Sequence, residues 1–182
     1  TGSNGLIGSN FIKNFQDIYK ISTFKGDMTN FESVNHFMNQ EFDVILHLAS
    51  VIPKYDENGI PIKQSFSSNV IGTENIAKSA SKFKTKVIFT STQQVYGKSK
   101  FPLNENSELK SNNDYGNSKL QSEKKLQEFL TPEQYVILRI SNVYGTFPER
   151  SSIIDSIAES IILDKTKKIG LNSQISRDYL HI

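Results

Sequence analysis

The chain has 182 residues, of which 36% are hydrophobic and 22% charged. That is enough for one core and too little for two comfortable ones, so a single folding unit over 1–182 is expected. It contains no Cys, which excludes disulfide frameworks, thiolate-ligated metals and thiol nucleophiles. Its 21 basic and 19 acidic residues are spread along the sequence, and the mean hydropathy is −0.41. Neither a nucleic acid nor a membrane is therefore expected as a partner. The longest apolar stretch, 44–52, is broken by His47 and Ser50 and is far shorter than the roughly 20 residues a membrane helix needs.

The glycines Gly2, Gly5 and Gly8 open a helical pattern predicted over 5–15. A strand is predicted over 18–24, then a helix over 30–39 behind a cap at Thr29 or Asn30. Next come a strand over 43–48, a helix over 64–83 and a strand over 86–91. The cap signal Asn112-Asn113-Asp114 opens a helix over 113–129. It is followed by a strand over 135–140, a helix over 152–163 and a weaker strand over 166–170. Strands alternating with helices predict βαβ units, hence an α/β doubly wound parallel sheet. The polar stretches 53–61 and 98–111 follow strands, and the crevice at strand carboxyl ends is where such sheets bind ligands.

Three sequence features bear on chemistry. Glycines spaced by three at a helix start suit a dinucleotide loop, because they permit a tight turn and close approach of backbone N–H groups to phosphate; an ordinary glycine turn has the same look. Tyr115 and Lys119 stand i, i+4 on one helix face, so a phenol and an ammonium can act on the same ligand, although an exposed helix pair has this spacing too. The strand 86–91 delivers Thr92 at its carboxyl end, where a hydroxyl could bind a substrate oxygen or merely form a turn. His36, His47 and His181 are scattered without metal-ligand spacing, so no metal site is expected.

Taken in order, these and further pieces resemble the extended short-chain dehydrogenase/reductase family, specifically the NAD-dependent epimerase/dehydratase group that acts on nucleotide sugars. The segment 1–8 is similar to its TGxxGxxG loop, 43–50 to its strand ending HxAA, and 69–73 to its NVxGT helix. Gly26-Asp27-Met28 is similar to its acidic adenine-side contact, 138–145 to its LRxxNVYG element and 177–182 to its RDYIHV element. The resemblance implies a Rossmann-type sheet and a bound NAD or NADP. It assigns Gly2, Gly5 and Gly8 to the pyrophosphate, Asp27 to the adenine, and Ala49 with Asn69 to the nicotinamide side. Leu6, Ile7, Met28, Leu48 and Ser50 are further cofactor-binding candidates. Thr92, Tyr115 and Lys119 fall on the catalytic positions, with Tyr115 and Lys119 also touching cofactor. Asn142 and Arg177, like Thr92, fall on substrate-binding positions, where the first two would meet the diphosphate of a nucleotide-diphosphate sugar.

Departures from the family pattern qualify the reading. The first strand is missing before Thr1 and the substrate lobe after Ile182, so a fragment of a longer enzyme, with open strand edges, is expected. The 18–24 segment does not end in the acidic residue that reads the ribose of NAD; Ser22, Thr23 and Lys25 stand there, which keeps NADP open. Gln93 and Gln94 occupy the place of the acidic pair of 4,6-dehydratases, and amides cannot serve as acid and base in eliminating water. An epimerase working by transient oxidation of a sugar hydroxyl is therefore favoured. A ketone reductase, a dehydratase and a non-catalytic dinucleotide sensor are the alternatives. A cytoplasmic location and a homodimer are compatible with the resemblance.

Overall fold

The computed structural model describes residues 1–54, 60, 62–63, 65–145, 153–164 and 177–182. The strand expected over 166–170 and the starts of the helices expected at 64 and 152 lie outside the described residues. The elements in chain order are α1 (Leu6–Phe15), α2 (Phe31–Met38), β1 (Val44–His47), α3 (Ser67–Phe83), β2 (Lys86–Thr92), α4 (Asp114–Phe129), β3 (Tyr135–Ile140), β4 (Asn142–Tyr144), α5 (Ile153–Ile162) and β5 (Tyr179–His181). Short 3-10 turns follow β2, at Gln93–Val95, and precede β3, at Pro132–Gln134.

Two helix starts follow directly from their caps. Asn30 accepts from Ser33 N–H at 3.0 Å and Asn113 from Gly116 N–H at 2.8 Å, each satisfying a first-turn donor that the helix leaves unpaired. Helix α3 stops at Lys84, which takes a left-handed conformation (φ 55°), and the next amide, Thr85 N–H, bonds back to Ala80 O at 3.0 Å.

β1, β2 and β3 form a parallel sheet in that order, with Val44 opposite Lys86 and Val87 opposite Tyr135. Strand alternation sends Ile45, Val87 and Phe89 into a core completed by Val34 and Met38 of α2, Ile76, Ala77 and Ala80 of α3, and Leu126 of α4. The small residues along α3 let α4 lie close beside it. On the opposite sheet face Val136 and Leu138 are 52% and 41% exposed.

The strand expected over 18–24 does not form. A strand exists only with a partner for its backbone groups, and no described strand lies beside this segment; Phe24 instead packs its ring 5.2 Å from that of Phe37. Among the described residues, the outer edge of β1 is bonded by Thr1 alone, whose N–H donates to Leu46 O at 2.8 Å and whose carbonyl accepts from Leu48 N–H at 3.4 Å. The two-stranded parallel pair of β4 and β5 was not predicted. Each has three residues, too few for alternation to register.

Candidate functional site

The glycine loop is shaped by backbone crowding. Gly2 has φ +73°, and a Cβ there would lie 2.6 Å from Ala49 N at the end of β1. A Cβ on Gly8 would meet Gly2 O at 2.2 Å, so the loop and the first turn of α1 are in direct backbone contact. Gly5 N–H bonds Gly2 O at 3.2 Å and closes the turn. Gly5 is also the N-cap of α1, with no side-chain cap and no acidic residue in the first turn, so the helix start offers N–H donors and the positive end of its dipole to an anion.

Behind the loop, the end of β1 is held by a buried chain of hydrogen bonds. His47 Nδ1 lies 2.8 Å from Thr1 Oγ1 and Nε2 lies 3.0 Å from Thr73 Oγ1. Thr73 donates its only hydroxyl proton to Asn69 O at 2.7 Å, so Nε2 must carry the ring proton and Nδ1 must accept from Thr1. Burial first, then the charge of Lys119, hold His47 well below the usual imidazole range, and the ring is neutral. Asn69 clamps the loop that follows β1: its Oδ1 accepts from Val51 N–H at 2.7 Å and its Nδ2 donates to Val51 O at 3.0 Å. The same Nδ2 donates to Ser118 Oγ at 3.2 Å, which ties α4 to this turn.

Thr92, Tyr115 and Lys119 line one cleft of about 250 Å³ at the carboxyl ends of the strands, together with Gly2, Gly5, Leu6, Ile7, Gly8, Leu48, Ser50 and Asn142. Thr92 Oγ1 accepts from Gln94 N–H at 3.3 Å, a bond that uses a lone pair and leaves the hydroxyl proton for a ligand oxygen. Tyr115 stands edge-on to Phe66, with ring centroids 5.7 Å apart. Lys119 is 2% exposed, its Nζ 4.1 Å from the centre of the Phe89 ring. Burial lowers its ammonium to about 7, against an upward pull from Glu123.

Of the other expected positions, Asn142 lines the cleft, and Ala49, Asp27, Met28 and Arg177 are not among its lining residues. Ala49 backs the glycine loop and donates its N–H to Thr1 Oγ1 at 3.3 Å. The exposed Asp27 carboxylate accepts from Thr29 N–H and Oγ1, both at 2.8 Å, and these bonds hold it below the usual carboxyl range. Met28 packs against Gly72 and its carbonyl accepts from Asn75 at 2.9 Å. Asn142 lines the cleft while its Nδ2 donates to Asp178 O at 3.2 Å, and Arg177 is exposed just before β5. No three His, Asp or Glu gather to hold a metal among the described residues.

Sequence reasoning missed Glu123 and Arg139. Arg139 Nη2 meets Glu123 Oε2 at 2.8 Å and its Nε reaches Oε1 at 3.2 Å. Ser91 Oγ also donates to Glu123 Oε1 in a short bond, and Arg139 Nη1 donates to Tyr96 Oη at 2.9 Å. The available signal was Glu123 four residues after Lys119, on the face that carries Tyr115.

The chain is 31% identical to the bifunctional UDP-glucose 4-epimerase and UDP-xylose 4-epimerase 3 of Arabidopsis thaliana, over 66% of this chain and 36% of that protein. It is 30% identical to the UDP-glucose 4-epimerase of Lacticaseibacillus casei, over 87% of this chain and 54% of that protein. The chain thus spans about a third to a half of the length of these relatives. The crystal structure of the Bordetella bronchiseptica enzyme WbmG in complex with NAD and UDP superposes with a TM-score of 0.80 at 22% identity, covering 100% of this chain and 63% of that one. That likeness establishes a Rossmann-type fold, of which the present chain is a partial version. The model of the family described as NAD dependent epimerase/dehydratase matches residues 1–182, and the chain belongs to that family.

Proposed function

We propose that the protein is an NAD(P)-dependent nucleotide-sugar epimerase, with residues 1–182 serving as its cofactor-binding unit. The observation that carries this reading is that Thr92, Tyr115 and Lys119 line the same cleft as the glycine loop. The residues fit a dinucleotide. Gly2 and Gly8 leave no room for a Cβ beside the backbone, and the start of α1, without a side-chain cap or an acidic residue, suits a phosphate. When bound, the nicotinamide supplies reversible acceptance of hydride from a sugar carbon.

The chain's own residues supply the proton chemistry. The Tyr115 phenolate, held ionised by the Lys119 ammonium one turn away, takes the proton from a sugar hydroxyl and becomes a neutral phenol. The Thr92 hydroxyl donates to the same sugar oxygen and fixes its position. Gln93 and Gln94 contribute neutral amides to the cleft, without a carboxyl group to protonate a departing water, which supports epimerisation over dehydration. Asn142 on the cleft wall and Arg177 before β5 would meet the diphosphate of the substrate.

A second reading, reduction of a keto sugar with NADP, draws on Ser22, Thr23 and Lys25, which offer hydroxyls and a cation where an acidic residue would select NAD. The test is to incubate the full-length protein with a panel of nucleotide sugars and each pyridine nucleotide. Conversion to an epimer without net consumption of dinucleotide supports the proposal. Stoichiometric oxidation of NADPH by a keto sugar selects the reductase, and no conversion of any sugar overturns both.

A further inference from the structure

One buried carboxylate, Glu123, accepts hydrogen bonds from two other elements and is left without a part by the proposed reaction. Glu123 is 1% exposed and its two oxygens take donors from two strands: Ser91 of β2, immediately before Thr92, and the Arg139 guanidinium of β3. Arg139 continues to Tyr96 Oη and, at 3.3 Å, to Glu105 O, beyond the end of β2. Burying the Glu123 carboxylate for stability alone brings little, because the desolvation cost of a buried charge offsets most of its attraction to a partner. What the network does achieve is a fixed distance between α4, which carries Tyr115 and Lys119, and two strands: β3 through Arg139, and β2, which carries Thr92, through Ser91.

We propose that Glu123 is a positioning residue of the site: braced by Arg139 and Ser91, it sets α4 against β2 and presents a fixed negative charge to the Lys119 ammonium one turn away. The inference rests on the cleft being the reaction site, but its electrostatic content stands independently of which reaction occurs. Residues at i and i+4 on a helix have Cβ atoms about 5–6 Å apart, within the range over which an opposite charge favours the ionised form. The groups around Lys119 leave Glu123 as the counter-charge. Phe89 of β2 offers only its ring face, His47 of β1 is neutral, and the Arg139 cation of β3 stands behind Glu123. Without the carboxylate, burial acts on Lys119 unopposed and the ammonium loses its proton at a lower pH than the value of about 7 it has beside Glu123.

The experiment follows the Lys119 amine by NMR of lysine-labelled full-length protein without cofactor, its signal assigned by its loss in Lys119→Met. Glu123→Gln keeps the shape of the side chain and removes its charge; the expected result is a midpoint lowered by about one pH unit or more. Ser91→Ala breaks the same network while keeping the charge, and is expected to lower stability with the midpoint unmoved. Glu123→Asp, which draws the carboxylate back by one methylene, gives a smaller downward shift and serves as the readout where Glu123→Gln does not fold. A midpoint unchanged in the Glu123 variants overturns the proposal and leaves Glu123 a brace. A shifted midpoint in a protein that converts no nucleotide sugar sinks the epimerase reading while the electrostatic role stands.

Discussion

The glycine loop gives the sharpest quantitative contrast. A Cβ on Gly8 would lie 2.2 Å from Gly2 O and 2.9 Å from both Gly2 C and Ser3 Cα, all backbone atoms that a side-chain rotation cannot move aside. The loop must shift, at about 1–3 kcal/mol, the usual cost of overpacking a close contact. For a chain of this size that corresponds to a Tm lower by roughly 2–12 °C. Gly5→Ala is the counterpart. Its Cβ finds only Gly2 O at 3.5 Å, an ordinary contact, and its φ of −83° suits any residue. The fold should absorb that methyl within about 1 kcal/mol, the scale of an N-cap change. Its added bulk instead meets a bound pyrophosphate, where about 1.4 kcal/mol of lost contact is a tenfold weaker dinucleotide. Thermal unfolding and calorimetric titration of the full-length variants with NAD and NADP separate the two effects. Gly5→Ala binding dinucleotide as tightly as the unchanged protein would refute the idea that the loop backbone approaches the phosphates.

The remaining predictions concern the cleft and its supports. Lys119 has its ammonium lowered from 10.5 to about 7, so between those values the unfolded chain binds more protons than the folded one and stability rises with pH. Denaturant unfolding at a series of pH values should show this rise, flattened in Lys119→Met; parallel curves would contradict the burial argument. Thr92→Val keeps the side-chain shape and removes the hydroxyl, and should reduce turnover about 10²-fold, as loss of one placed donor does; a rate equal to that of the unchanged protein would reject the role given to Thr92. Asn69→Ala loses both bonds to Val51 and should cost about 1–3 kcal/mol. Hydrogen exchange at the Val51 amide should accelerate more than exchange in β2, and equal acceleration would mean that Asn69 supports the fold rather than this loop.

Local features of the fold were legible where local chemistry decides them. The caps at Asn30 and Asn113 act as their side chains suggest, and β3 spans the expected residues because its apolar run is bounded by Pro132 and the polar Ser141-Asn142. Residues 18–24 have the composition of a strand yet form none, since a strand also needs a neighbour and composition says nothing about who stands beside it. The same limit hid the ionic pair, whose members lie 16 residues apart on a helix and a strand. For the site, the glycine spacing, the Tyr115 and Lys119 pair and the strand-end Thr92 led to residues of one cleft. The resemblance assigns Asn69 to the cofactor side; the bonds of its amide to Val51 and Ser118 depend on the path of the following loop and are not legible from spacing.

The central claim is that Tyr115 moves the proton in a cleft that also binds the dinucleotide, and Tyr115→Phe tests it most directly. In full-length protein supplied with its sugar substrate, loss of the phenol oxygen should lower turnover by about 10²–10⁴-fold while dinucleotide affinity stays close to that of the unchanged protein. Undiminished turnover in Tyr115→Phe would contradict the account.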